Sequence, residues 1–522
     1  MHSIVAFVLL PLAVLSHQTT ALAQPRLAEA RPASDQTAAL DSLDAFIGEV
    51  MEEWQVPGLA TAVVKDGELV LLRGYGHRDV DEQLPVTPRT LFAIGSITKS
   101  FTVTVLGMLA DEGRLDWDLP VRTYLPDFQL YDDMATLRMT PRDLVTHRSG
   151  LPRHDGLWYG SALTRRELYE RLRYLEPSED FRGAYQYQNL MFMTAGFLAG
   201  QLSGTRWEDV VRERIFGPLG MSRSNFSVTE SQRSDDFAYP YTKVGDDVRQ
   251  VDFRNIDEVG PAGSINSSVE EMIRYVQFHI EKGEYGEEQL LSEANAEQMQ
   301  TPQTAIQSRI VYDELGHGAY GMGFRVTSYR GHKVVQHGGG IDGFIALLSF
   351  MPRDRIGMII LTNQGADNPV PTIVARRVYD QLLGLEPVDW AGRVKEEQAR
   401  AREVEEGSGG SEADQRVEGT STSHDLSEYV GTFEHPGYGT VGVSLDADGL
   451  VVTFNDVTSP LVHFHYDVFE VPENPLVPFE GLKVMFLYNK QGEIDRLLVP
   501  LEPRVDDIVF VRLPDDAATG GS

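Results

Sequence analysis

A charged, Gly/Ser-rich stretch, GSGGSEADQRVEGTSTS (407–423), divides the chain into two parts whose apolar residues repeat on different periods. Such a composition stays solvated and cannot cross a core, so each side must fold around its own apolar face. With 522 residues the chain also exceeds what one core usually serves. An apolar share of 42% with 24% charged residues is that of an ordinary globular protein, so core material is sufficient on both sides. The expected division is a main domain over 35–385, a charged helix and linker over 386–424, and a smaller domain over 425–515.

In the main domain, Leu40, Leu43, Phe46, Ile47, Val50, Met51 and Trp54 recur at helical spacing. Next, GLATAVVKDGELVLLRGYG sets two β-rich runs around Asp66-Gly67, a hairpin pattern. GFIALLSFMPRDRIGMIILTN (343–363) repeats that pattern around a Pro-Arg-Asp-Arg turn, and 371–384 returns to helical spacing. Strands at both ends and a long helical middle predict an α/β (α+β) fold, an antiparallel sheet flanked by helices with a helical subdomain. Within that middle, NSSVEEMIRYVQFHI carries a capping-box pattern, Ser267 to Glu270 or Ser268 to Glu271, so the serines are expected to cap a helix. Trp390 to about Glu406 is charged and helix-prone.

From Leu426 onward, runs such as GTVGVSLDADGLVVTF, PLVHFHYDVFEV and LKVMFLYNKQGEIDRLLVPL alternate and are separated by Asp-Gly and Gln-Gly turns. They predict a small antiparallel β-barrel or sandwich. His463 and His465 share one strand face, but without a third ligand at useful spacing they are expected to pack or line a ligand. No metal site is expected.

The first residues, MHSIVAFVLLPLAVLSHQTTALAQ, hold an apolar run from Ile4 to Leu15 interrupted at Pro11, then Ala21-Leu22-Ala23. A run this short falls below the roughly 20 residues of a membrane-spanning helix and suits an export signal, 1–23, although the basic start usual in such signals is missing. The protein is therefore expected to be periplasmic or secreted, with no stable membrane anchor. Lys plus Arg total 46 and Asp plus Glu 78, a net charge of −32, which repels phosphate backbones and disfavours nucleic-acid binding. Screening in a salty habitat would relieve that self-repulsion. There are no cysteines, which excludes thiolate nucleophiles and Cys-held zinc.

Three short elements carry chemistry. In LFAIGSITKSFTVTVLGML (91–109), Ser96 and Lys99 lie three apart at the start of an apolar helical run, so Lys99 Nζ can reach Ser96 Oγ. Alone, such a pair is most often an exposed first turn. Burial by Leu91, Phe92, Phe101 and Val103 would lower the lysine's pKa and make it a base. In YQYQNLMFMTAGFLAG, Tyr187 beside a lysine ammonium would have its phenolate favoured, and Asn189 can meet both Lys99 and a substrate. In KVVQHGGGIDGF, a strand runs into His337-Gly338-Gly339-Gly340, where a substrate can lie against main chain and a backbone N–H can hold an oxyanion.

Together, in this order, the three resemble the S-x-x-K, Y-x-N and K/H-x-G motifs of the penicillin-recognising serine hydrolases: class C β-lactamases, DD-peptidases, D-aminopeptidases and related esterases. DLVTHRSGLP (143–152), IFGPLGM (215–221), GPAGSINSS (260–268) and YGMGF (320–324) extend the resemblance over about residues 38–384. It implies a β-lactamase/transpeptidase-like fold and a cofactor-free hydrolase working through a Ser96 acyl-enzyme. In that reading Ser96, Lys99 and Tyr187 are catalytic, and Asn189, His337, Gly338 and Gly339 bind substrate. The N–H groups of Ser96 and Gly340 form the oxyanion hole; His147 is structural. The substrate is a small amide, a peptide that can include D-amino acids, or an ester, and self-association stays open. Where β-lactamases usually place lysine, His337 stands, which turns the expectation away from β-lactams. An imidazole of ordinary pKa there would still gain affinity for carboxylates as pH falls. A class C-like β-lactamase and a penicillin-binding receptor without turnover are the alternatives. LSEYVGTFEHPGYGTVGVSL, HYDVFEV and VPLEPRVDDIVFVRL resemble the lipocalin-like barrel appended to some exported peptidases of this superfamily.

Overall fold

Along strand Gly58–Lys65, Leu59 and Val63 alternate with Ala60, Ala62 and Val64, so both faces are apolar and both must be covered. The computed structural model, which describes residues 34–514 apart from 246, 366–367, 408–415, 473–478 and 480, covers them with helices. The expected signal 1–23 and linker residues 408–415 lie outside the described residues.

Nine antiparallel strands make the main sheet, with Gly58–Lys65 between Glu68–Asp79 and Ile356–Thr362. On the other side of Ile356–Thr362 come Phe344–Met351, His332–Ile341 and Arg325–Tyr329. The chain's two expected hairpins are thus neighbours in one sheet, joined by the pairing of Leu59 with Thr362 through Lys65 with Ile356. Helices Ser34–Trp54 and Val370–Leu382 cover one face, where Ile47, Val50, Ile373 and Val374 meet Leu59, Val63, Met358 and Ile360. Helix Val269–Ile280 and the buried helix Thr98–Asp111 lie on the other, with Phe101, Ile273 and Val276 against Ala60, Ala62 and Leu361. Helix Asn189–Ser203 belongs to the same core.

The capping expectation at 267–271 is corrected. Ser268 holds the N-cap position, but its hydroxyl makes no capping bond. Glu271 is diverted: its carboxylate accepts the N–H groups of Arg223 and Ser224 at 2.8 Å each and the Ser224 hydroxyl at 2.6 Å. Three donors outcompete one reciprocal cap.

Past helix Trp390–Gly407, eight strands from Gly431–His435 to Ile508–Arg512 form a closed antiparallel barrel. Closure comes from Phe433 pairing with Arg512 and Glu434 with Val511, which removes both sheet edges. Its interior is apolar, with Phe433, Phe486, Leu497 and Phe510 buried. Among the described residues no helix is long and apolar enough to cross a membrane.

Candidate active site

Ser96 sits in a short 3₁₀ turn, Gly95–Ile97, and Lys99 in the first turn of the helix that follows, Thr98–Asp111. The pair spans the junction of the two helix types, yet the side chains meet: Nζ of Lys99 lies 3.0 Å from Oγ of Ser96. Lys99 is completely buried. Its Nζ also donates to Oδ1 of Asn189 and to the Ala262 carbonyl, each at 2.8 Å. Burial, reinforced by the Arg153 cation and opposed by the Asp155 carboxylate, holds the Lys99 amine well below its ordinary pKa.

The geometry suits the neutral amine that this shift favours. A carbonyl and an amide oxygen only accept, so they take both hydrogens of a neutral amine and leave its lone pair for Ser96. The Asn189 orientation is fixed in turn, because its Nδ2 donates to Oδ1 of Asp155 at 3.1 Å and a carboxylate can only accept. Asp155 also receives the Trp158 indole N–H at 2.8 Å and Nε of Arg153 at 2.5 Å.

Tyr187 completes the group. Its phenol interacts with the Ser96 side chain, and the Lys99 amine stands 4.7 Å from its ring centroid. The expected phenolate is corrected: burial pushes the phenol's pKa above its ordinary value, despite the Ser96 contact and the Arg153 cation. Gln188, between the two motif residues, is buried and opens helix Asn189–Ser203 by accepting the Leu190 N–H at 2.7 Å.

Strand His332–Ile341 forms the opposite wall. A Cβ on Gly339 would stand 1.9 Å from the Ile94 carbonyl, and one on Gly95, which has φ +50°, 2.7 Å from the Gly340 nitrogen. Only glycine permits this approach, which sets the strand main chain at Gly339 and Gly340 against the turn that carries Ser96. Gly338 and Gly340 are exposed there, whereas Gly339 is packed against the serine turn.

His337 departs from expectation. It is buried, Nδ1 donates to the Gly338 carbonyl at 2.6 Å, and Nε2 therefore accepts the Tyr320 hydroxyl at 2.9 Å. Both nitrogens are occupied, so the ring offers a substrate nothing to bond. Burial, with Lys99 adding to it, lowers its pKa to about 3, so it does not charge as pH falls through 6. Its place is behind the wall, with its ring centroid 6.4 Å from that of Tyr187.

Sequence reasoning missed Asp155, Arg153 and the Ala262 carbonyl. Asp155 lies three residues beyond the quoted DLVTHRSGLP, and Ala262 within GPAGSINSS, so the segments were visible but not their contacts. His147 lies 4.3 Å from the Tyr187 ring, centroid to centroid, and its Nδ1 accepts the Gln188 N–H at 3.0 Å.

Residues 43–383 match the Beta-lactamase family, and 415–512 a domain of unknown function, DUF3471. Unguisins hydrolase ungD' of Aspergillus campestris is 31% identical over 375 residues, 67% of this chain and 68% of the relative. Among solved structures, the octameric penicillin-binding protein homologue from Pyrococcus abyssi aligns with TM-score 0.58 and 23% identity over 90% of this chain and 99% of its own. The D-amino acid amidase from Ochrobactrum anthropi SV3 aligns with TM-score 0.52 and 22% identity over 67% and 98%. At these identities the structures establish a shared fold, while the family match covers well over half of the chain, and with it the protein belongs to the β-lactamase family of serine hydrolases.

Proposed function

We propose that the protein is an exported hydrolase that cleaves small amides, short peptides or esters through an acyl-enzyme on Ser96. The observation that carries this is the buried Lys99 amine, whose two other contacts are obligate acceptors and whose remaining position faces Oγ of Ser96. As Oγ attacks the carbonyl carbon, its proton passes to Nζ of Lys99, and the carbonyl oxygen becomes an oxyanion between the N–H groups of Ser96 and Gly340. Collapse of the adduct breaks the bond to the leaving group, which takes up the proton through the neutral Tyr187 hydroxyl. Water then attacks the ester carbonyl, giving its proton to the same relay, and Ser96 is regenerated.

Neutral or amine-bearing substrates are favoured over carboxylate-bearing β-lactams, because His337 is uncharged and engaged. The names of the relatives, a hydrolase of unguisins and, among the solved structures, a D-amino acid amidase, support a hydrolase reading that includes amides. Export rests on the pattern of residues 1–23. Turnover of D- and L-aminoacyl amides, short acyl esters and a chromogenic cephalosporin by the mature protein tests the reading. A cephalosporin preferred over all amides and esters would replace it with the β-lactamase alternative.

A further inference from the structure

The segment Arg153–Gly160, which carries Asp155, is held largely from outside the hydrolase fold. His154 is fully buried in the left-handed region, φ +48°, ψ +36°, a conformation that a bulky residue keeps only when its surroundings impose it. Its backbone N–H donates to Oε2 of Glu502 at 2.8 Å. On the ring, Nε2 donates to the Glu176 carbonyl at 2.9 Å, so Nδ1 accepts the Tyr438 hydroxyl at 2.7 Å. Two of these three partners belong to the barrel. Glu502 is itself buried, and its other oxygen accepts the Arg504 N–H at 3.2 Å.

The far end of the segment is clamped too. Asn455, at the turn between strands Leu450–Phe454 and Val457–His465, donates through Nδ2 to the carbonyls of Gly156 at 3.0 Å and Tyr159 at 2.8 Å. The Asp456 N–H donates to the Gly160 carbonyl at 3.0 Å. The Asp456 carboxylate pairs with Arg254 at 2.7 Å, and Arg254 reaches Asp342, just past the glycine strand, at 3.2 Å.

From these contacts we infer that the barrel is part of the catalytic unit: Tyr438, Glu502 and Asn455 act as positioning residues that fix His154 and Gly156, and so Asp155, Asn189 and Lys99. The chain of contacts is continuous, from Tyr438 to His154, from the neighbouring Asp155 to Asn189, and from Asn189 to the amine facing Ser96. Freed from the barrel, Asp155 would no longer hold the Asn189 amide in the orientation that takes a hydrogen from Lys99, and the lone pair would lose its aim.

The inference rests on the Ser96 reading above, and its test separates the two. In the full chain, the rate of Ser96 labelling by a fluorophosphonate, and kcat and KM for a chromogenic acetate ester, are measured for wild type, Tyr438→Phe and Asn455→Asp. Asn455 sits at φ +53° in a partly exposed turn that aspartate also tolerates, so this variant decides alone if Tyr438→Phe does not fold. Each variant should lower labelling rate and kcat at least about fivefold, the scale of one lost neutral hydrogen bond for Tyr438→Phe, with a larger drop for Asn455→Asp, which loses two, and with KM changed less than about twofold. Tyr429→Phe removes a hydroxyl that bonds Asp467 within the barrel; it should lower the melting temperature yet leave labelling at the wild-type rate. Wild-type rates in the first two variants, a change confined to KM, or equal slowing in Tyr429→Phe would overturn the inference. Failure of wild type to label at Ser96 would instead place the fault in the Ser96 reading, and the inference would fall with it.

Discussion

Asp155 stands behind Asn189, its Oδ1 3.1 Å from the amide nitrogen, so that only the amide oxygen can face Lys99. The carboxylate thereby decides which end of a symmetric-looking side chain meets the amine. Asp155→Asn removes that constraint, since the new amide can donate as well as accept. It should lower kcat about ten- to a hundredfold, the scale of one hydrogen bond to a charged group, with the melting temperature moved far less than in a core truncation. Stopped-flow acylation with a chromogenic ester is the measurement, and wild-type kinetics would remove Asp155 from the machinery.

Ser96 should be the serine modified by a fluorophosphonate, located by peptide mass spectrometry. Lys99→Met retains volume and burial but has no basic atom to take the proton, so acylation should drop at least about a hundredfold. Label on another serine, or an unaffected rate in Lys99→Met, contradicts the mechanism.

The imidazole of His337 gives a flat line where an exposed one would give a slope. With its pKa lowered to about 3, the ratio of cephalosporin to neutral-ester kcat/KM should stay constant from pH 8 to pH 5. Gly338→Thr, at an exposed position where a Cβ would meet only the Ala346 carbonyl at 3.8 Å, should raise that ratio by adding a hydroxyl on the substrate side, whereas His337→Lys alone, buried behind the wall, should not. A wild-type ratio that climbs as pH falls through 6.5 would show an accessible ring.

His279 governs acid stability. It is fully buried among Tyr275, Phe324 and Phe350, neither ring nitrogen has a hydrogen-bond partner among the described residues, and burial alone lowers its pKa to about 3. A folded pKa below the unfolded value of about 6.5 means that the unfolded chain binds the extra proton, so stability is full above pH 6.5 and is lost as pH falls toward 3. The loss attributable to this one residue is on the order of a few kcal/mol over that range. Chemical denaturation of His279→Leu between pH 7 and 4 should show a shallower decline than wild type; parallel curves would assign the acid sensitivity elsewhere.

Net charge sets a further dependence. At −32, like-charge repulsion acts across the whole surface, so the melting temperature should rise as NaCl goes from low to molar concentration. A flat or falling melting temperature rejects the salt-adaptation hypothesis.

Side-chain periodicity made both hairpins of the sheet and the alternating barrel strands legible, because each rests on local apolar order. Ser96, Lys99, Tyr187 and Asn189 were legible as residue types at fixed offsets, and the structure brings them together. What stayed hidden depends on distant chain. The Lys99 acceptor at Ala262 is a backbone carbonyl, which no residue identity announces. The neutrality of His337 and the protonated phenol of Tyr187 follow from burial by segments far away in sequence. The capping box at Ser268 failed because Glu271 found better donors at Ser224, outside any local window.

The bond from the His154 N–H to Glu502 joins residues 348 positions apart. A ribosome adding about 5–20 residues per second therefore needs tens of seconds between making the loop beside the nucleophile and making its last anchor. Through that interval a nascent chain already holds Ser96 and Lys99 while the segment next to them still waits for its partners. Activity should thus appear late in synthesis, when the barrel that holds Glu502 has emerged, and a chain stalled before it would carry the serine without its finished setting.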